Sequence, residues 1–266
     1  LKAAIIGDGV RELDESFTGA GYLENVTIGA GVKGMNGYLG IAFTSVYLKH
    51  IELRTPLVER KGNFFYTYMR YSQTSIETLV ISGPAITKLA AGAFQSGCKA
   101  LRKVTISADR VKTIGERAFQ NCKLIDTVTI GDTVTTIDVK AFSGTTSLKS
   151  VTIGGGLQVI GDAAFSNAEE LETIVLPDSL QSIGKGSFKE CKALKDVVFD
   201  TTKSALIDIG DNSFMTCINL EELHLPQALT KIGNSAFQGD ERLQSVEIPD
   251  KVEILGALAY SECSQL

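Results

Sequence analysis

The chain has 266 residues, 44% of them hydrophobic and 21% charged, with a formal net charge of -5 and no tryptophan. This mild acidity, with no basic run, argues against a nucleic-acid partner. No apolar run approaches the roughly 18–20 residues of a membrane-spanning helix, and the opening Leu1-Lys2-Ala3-Ala4-Ile5-Ile6 lacks the regions of a signal peptide.

In chain order, landmark aromatics stand at Phe17, Phe43, Phe65, Phe94, Phe119, Phe142, Phe165, Phe188, Phe214, Phe237 and Tyr260, in steps of 26, 22, 29, 25, 23, 23, 23, 26, 23 and 23 residues. The second half is a regular repeat and the first half is irregular. Each unit carries a frame such as Leu101, Val104, Ile106 or Leu171, Ile174, Leu176. Its alternation predicts a short strand with one face inward. A Gly or Pro follows (Gly131, Gly154, Pro177, Pro226, Pro249), where the chain turns. An apolar pair such as Leu180 and Ile183 then predicts a second extended run, closed by Gly at positions such as Gly161, Gly184 and Gly233. The segment around Ala164-Phe165 reads as one or two helical turns that drive the Phe into the core. Units stacked at roughly 4.8 Å make a solenoid on the order of 50 Å long.

Five cysteines cannot all pair internally. Cys122, Cys191, Cys217 and Cys263 each lie three residues after a landmark ring, Cys98 four after, and Ala20, Ala168 and Thr145 fill the same slot elsewhere. A slot shared by Cys, Ala and Thr is a small packing position, so free structural thiols are expected.

The frame L-x-x-V-x-I-P/G-x-x-L-x-x-I-G-x-x-A-F-x-x-C, clearest from Ile183-Gly184 to Leu194 and from Ile232-Gly233 to Phe237, resembles the BspA-like (Treponema pallidum type) class of leucine-rich repeats. The resemblance covers the whole chain. It implies an α/β fold: a right-handed β-α superhelix of roughly 23-residue units with a parallel sheet on the expected concave face. It also implies a surface-exposed or secreted protein that adheres to host or neighbouring-cell proteins. One solenoid over residues 1–266 is expected, with an irregular insertion at about 54–75. Both ends fall at the same phase inside a repeat, so a fragment of a longer array, or ends that stack on a partner, is the expectation.

Two stretches stand out as ligand-binding candidates. The first is the outward strand position, whose row runs from Ile5 and Thr27 through Thr129, Thr152, Val175 and Val198 to an acidic end at Glu221, Glu222, His224 and Glu247. Thr and Val also favour strands for their own sake. The second is the insertion, where Tyr66, Tyr68, Arg70 and Tyr71 are surplus to the repeat. Tyr and Arg are hot-spot residues, although such a segment can equally fold back over the solenoid.

Catalytic signals are nearly absent. His50 and His224 are far apart and neither has metal-ligand spacing to another His or Cys. Gly154-Gly155-Gly156 lacks the Lys-Ser/Thr of a phosphate loop. Glu169-Glu170 reads as a solvated turn, and Asn25-Val26-Thr27 is a lone glycosylation pattern on a strand. The sequence therefore predicts a non-enzymatic protein-binding module with no cofactor or metal, no nucleic-acid partner and no membrane insertion. A structural spacer and a glycan-binding module that uses the aromatic insertion are the alternatives.

Overall fold

The structure, a computed structural model, describes residues 2–14, 17, 19–36, 47–60 and 75–266. Within them the chain winds as a solenoid of parallel strands. Strands Ala3–Ile6, Asn25–Ile28, His50–Leu53, Thr78–Ile81, Lys103–Ile106, Thr127–Ile130 and Ser150–Ile153 form one sheet, which we call the front face. It continues, after a break, as Thr173–Val175, Asp196–Val198, Glu222–Leu223 and Ser245–Val246. The two-residue runs from Lys88–Leu89 to Ile254–Leu255 form an unbroken eight-stranded back sheet. A small pair, Glu12–Asp14 with Gly34–Asn36, precedes it.

Register is fixed by identical residues in identical places. Val104, Val128 and Val151 align, as do Ile106, Ile130 and Ile153. On the back, Ile114, Ile137, Ile160, Ile183, Ile209 and Ile232 align and are buried. A one-residue slip would turn this row outward.

Between back and front runs a column of rings. Phe94, Phe119, Phe142, Phe165, Phe188, Phe214 and Phe237 are fully buried. Successive centroids, ending at Tyr260, lie 5.0 to 5.4 Å apart with nearly parallel planes.

The ring segments are tight turns rather than the helical turns expected. Among the described residues the helix present is a short 3-10 turn, Pro56–Glu59, capped by Thr55. Amide bonding explains the difference. Ala164, Ser166 and Ala168 donate within their own turn, to Gly161, Ala163 and Phe165. The alternate amides, Ala163, Phe165 and Asn167, donate at 2.7–2.8 Å to Lys185, Ser187 and Lys189 of the next coil. Ala163 and Asn167 take φ of 53° and 60°, which a helix forbids. The segments thus add a third line of inter-coil bonds, in place of the helices of a β-α superhelix.

Close approach demands glycine at Gly233, where a Cβ would sit 2.4 Å from the Asp211 amide nitrogen. Longer coils hide their extra residues between the faces. In the 26-residue coil, Asp200 Oδ1 accepts from Thr202 Oγ1 at 2.8 Å and from the amides of Thr202 and Lys203. This loop leaves the back register of Ser182 with Asp208 and Ile183 with Ile209 intact.

The cysteines are free, and Cys98, Cys122, Cys191 and Cys217 are buried. Cys122, Cys191, Cys217 and Cys263 each point Sγ at the carbonyl of the previous coil's Phe, at 3.1–3.3 Å. Burial pushes the Cys191 thiol up to about 12 and also raises Cys217, so neither is a ready nucleophile. The slot has one occupant that the sequence reading passed over, Asp240. It is fully buried. Its Oδ1 accepts from the Cys217 amide at 2.8 Å, while Oδ2 has no partner. Burial pushes this carboxyl up to about 9, so it is neutral at pH 7.

Candidate binding face and the crease in it

The front face breaks between Ser150–Ile153 and Thr173–Val175. In the coils before the break, the carbonyl just ahead of the strand accepts two amides from the next coil. Lys2, Glu24, Lys49, Glu77, Arg102 and Asp126 all do so. Lys149 is the next in line, and among the described residues no amide donates to it. Its expected donors, Glu172 and Thr173, have no backbone acceptor. Glu172 again accepts two amides, from Lys195 and Asp196, while Lys195 and Glu221 each accept one, from Glu221 and Gln244.

One cause is local. Gly131 and Gly154 donate to Ile106 and Ile130 of the preceding coils at 2.8 Å. The corresponding residue in the next coil is Pro177, which has no amide hydrogen for Ile153. At this seat the coils approach closely: a Cβ on Gly154 would lie 2.5 Å from the Asp132 amide nitrogen. Pro226 and Pro249 fill the same seat in later coils, where the front strands still pair, so the bond lost at Pro177 weakens the front here and does not account for the break alone. Behind, Val159 still pairs with Ser182. The ring column passes through, with its widest spacing, 5.4 Å, at Phe165–Phe188.

A cleft of about 600 Å³ opens at this crease, floored by Ser150 and Val151 and walled by Thr173, Val175 and Ala193. Its carboxylates are already held: Glu170 by Lys149 at 3.5 Å, Glu169 by Lys192 at 3.3 Å and Glu172 by Lys195 at 3.1 Å. Val175 and Val198 are 59% and 43% exposed, and both line a second cleft on the far side with Pro177 and Phe199. The first Pro in the turn position, Pro177, was the signal that something changes beside it.

The other candidates are dispersed. Glu221, Glu222, His224 and Glu247 are all exposed on the last front strands. His224 Nε2 lies 3.5 Å from Glu222 Oε2, and Arg242 lies 3.8 Å from Glu221. The register that pairs Glu222 with Ser245 and Leu223 with Val246 sets His224 beside Glu247. None of these residues lines the crease. Tyr66, Tyr68, Arg70 and Tyr71 lie outside the described residues. The stem of their insertion is tied down at Glu59, whose Oε1 accepts from Thr87 Oγ1 at 2.7 Å. At the N-terminal end, Tyr22 and Tyr47 stack at 5.7 Å while 74% and 52% exposed. They occupy the same position in two coils, just before Leu23 and Leu48, a match visible in the sequence but missed there. Among the described residues no group of three or more His, Cys, Asp or Glu could hold a metal ion, and no helix is long and apolar enough to cross a membrane.

The model of the BspA type leucine rich repeat region matches residues 2–125, 66–195 and 194–266, in six copies. The chain belongs to the BspA-type leucine-rich repeat family. Among solved structures, a leucine rich repeat protein of T. pallidum is 29% identical, with a TM-score of 0.57, and the match covers 69% of this chain and 86% of that one. A leucine-rich repeat protein from Bacteroides ovatus is 18% identical, with a TM-score of 0.46 and coverage of 99% and 85%. A leucine rich cell surface protein from Faecalibacterium prausnitzii is 20% identical, with a TM-score of 0.41 and coverage of 100% and 86%. No curated protein matches the sequence. Leucine-rich repeat solenoids of this family are commonly protein-binding scaffolds.

Proposed function

We propose that this BspA-type solenoid is a non-enzymatic module that binds protein through its front face, at a cell surface and in adhesion to host or neighbouring-cell proteins. Membership of the family supports the surface placement. The observation that carries the choice of face is the apolar opening at the crease. Val175 and Val198 are exposed there beside a cleft, whereas the outward positions of the back strands are mostly polar, as at Lys88, Thr113, Thr136, Ser182, Asp208 and Lys231. Exposed apolar side chains next to a cavity are a docking signature.

The test is an array of extracellular proteins, and a parallel glycan array, probed with the chain, with a front variant (Val175→Glu with Val198→Glu) and with a back variant (Lys88→Glu with Lys112→Glu). Protein hits lost by the front variant and kept by the back variant are expected. Hits that only the back variant loses would overturn the choice of face. Glycan hits without protein hits would overturn the ligand class, and silence on both arrays would favour a spacer.

A further inference from the structure

We infer that the crease is a receptor for a primary amide, the side chain of an asparagine or glutamine carried by the protein partner. The inference rests on the protein-binding reading above and gives that reading its chemistry.

The crease holds an acceptor and two donors that every preceding coil would have paired with one another: the Lys149 carbonyl and the amides of Glu172 and Thr173. A ligand group that satisfies them must donate to one wall and accept from the other. Guanidinium and ammonium groups only donate, and carboxylates only accept. A hydroxyl does both, but a serine or threonine brings no methylene stem to lie on the apolar lining, whereas the primary amide of a glutamine does both at the end of one. Charge points the same way, because Glu170, Glu169 and Glu172 each already hold a lysine. A charged ligand therefore finds its counter-charge taken, while a neutral polar group loses nothing to that balance. Val151, Val175 and Ala193 supply an apolar lining for the methylene stem of a glutamine. Val198 and Phe199, one coil on, lie where flanking side chains of the partner would rest. The coil keeps this opening because its back pairing and its ring stacking do not depend on the front.

The experiment titrates the 15N-labelled chain with the tripeptide acetyl-Gly-Gln-Gly N-methylamide, whose cap is a secondary amide, and separately with its Glu, Arg and Leu counterparts. The expected result is a saturable shift of the Glu172 and Thr173 amide signals with the Gln peptide, and a response about tenfold weaker with Leu, which leaves the crease groups unpaired. Two variants follow. Thr173→Pro removes a donor that no backbone carbonyl uses, so the chain should stay folded and the Gln response should fall. Pro177→Gly returns an amide hydrogen opposite Ile153 and should close the crease, read as slowed exchange of the Glu172 and Thr173 amides, with the response lost. Silence of both amides up to about 100 mM peptide overturns the inference. So does an equal response to all four peptides, or a full Gln response in folded Thr173→Pro. A partner from the array that binds the front face without moving these two amides overturns it too, while leaving the protein-binding reading in place.

Discussion

The two faces of the same coils behave differently. The back sheet passes through eight strands without interruption, although each strand contributes only two residues. The front sheet has longer strands, yet it splits in two at Pro177. The back can afford to be narrow because the ring column and the inter-coil amides of the turns stand beside it. Two bonded lines out of three are enough to keep one coil on the next. The front is then free to open, and the opening is where unpaired polar groups and exposed valines collect.

The largest effect should come from cutting the column where the front has let go. Phe165 stacks on both Phe142 and Phe188, 5.3 and 5.4 Å away. Phe165→Ala should lower stability by about 3–5 kcal/mol, read from denaturant midpoints, because the rigid coils cannot collapse into the cavity. An unchanged midpoint would mean that the column is not what holds the coils together.

Next is the buried acid in the cysteine slot. The Asp240 carboxyl sits at about 9 in the folded chain, against about 3.9 in an unfolded one. Below about pH 4 both states are protonated and nothing is lost; from there to about pH 9 the unfolded chain ionises first, so stability falls as pH rises. Asp240→Cys restores the usual occupant and should be more stable by on the order of 2 kcal/mol at pH 7, with the gap shrinking toward pH 4. Thermal melts at several pH values check this. A gap independent of pH would place the carboxylate in water.

Pro177→Gly should make the front resemble the back. The amides of Glu172 and Thr173 should exchange more slowly, with a change in stability of no more than about 1 kcal/mol, since one gained bond is offset by a more flexible unfolded chain. The smallest effect belongs to the rim. Lys195 and Glu172 are both about half exposed, and Lys195→Ala should shift the midpoint by less than about 0.5 kcal/mol. A larger loss would mean that the pair spans the crease as a clamp.

The repeat and its core were legible because the inward residues recur at fixed offsets from Phe142 onward, and burial follows them residue by residue. The turns around Ala164 and Phe165 were not, because alanine content suggests helix while the winning bonds run to a neighbour 22 residues away, as from Phe165 to Ser187. Asp240 stood in plain view in the slot, but an acid there contradicts the small apolar pattern and was passed over. Pro177 was read as a turn former, which it is. Its second consequence, an absent donor to Ile153, depends on which carbonyl faces it, and no single coil contains that fact. The acidic end at Glu221, Glu222, His224 and Glu247 is exposed, as its outward register requires, and none of its residues lines the crease.

The loop closed on Asp200 has a practical side. Its residues bond to one another through a single carboxylate and to the next coil through the Thr201 carbonyl, which accepts from the Gln227 amide, and they disturb neither the register of Ile183 with Ile209 nor the stacking of Phe188 on Phe214. It is therefore a natural graft point. A foreign peptide spliced in after Thr202 would project from the rod at a known coil without unwinding it, which makes the chain a ruler on which a tag can be set at a chosen height.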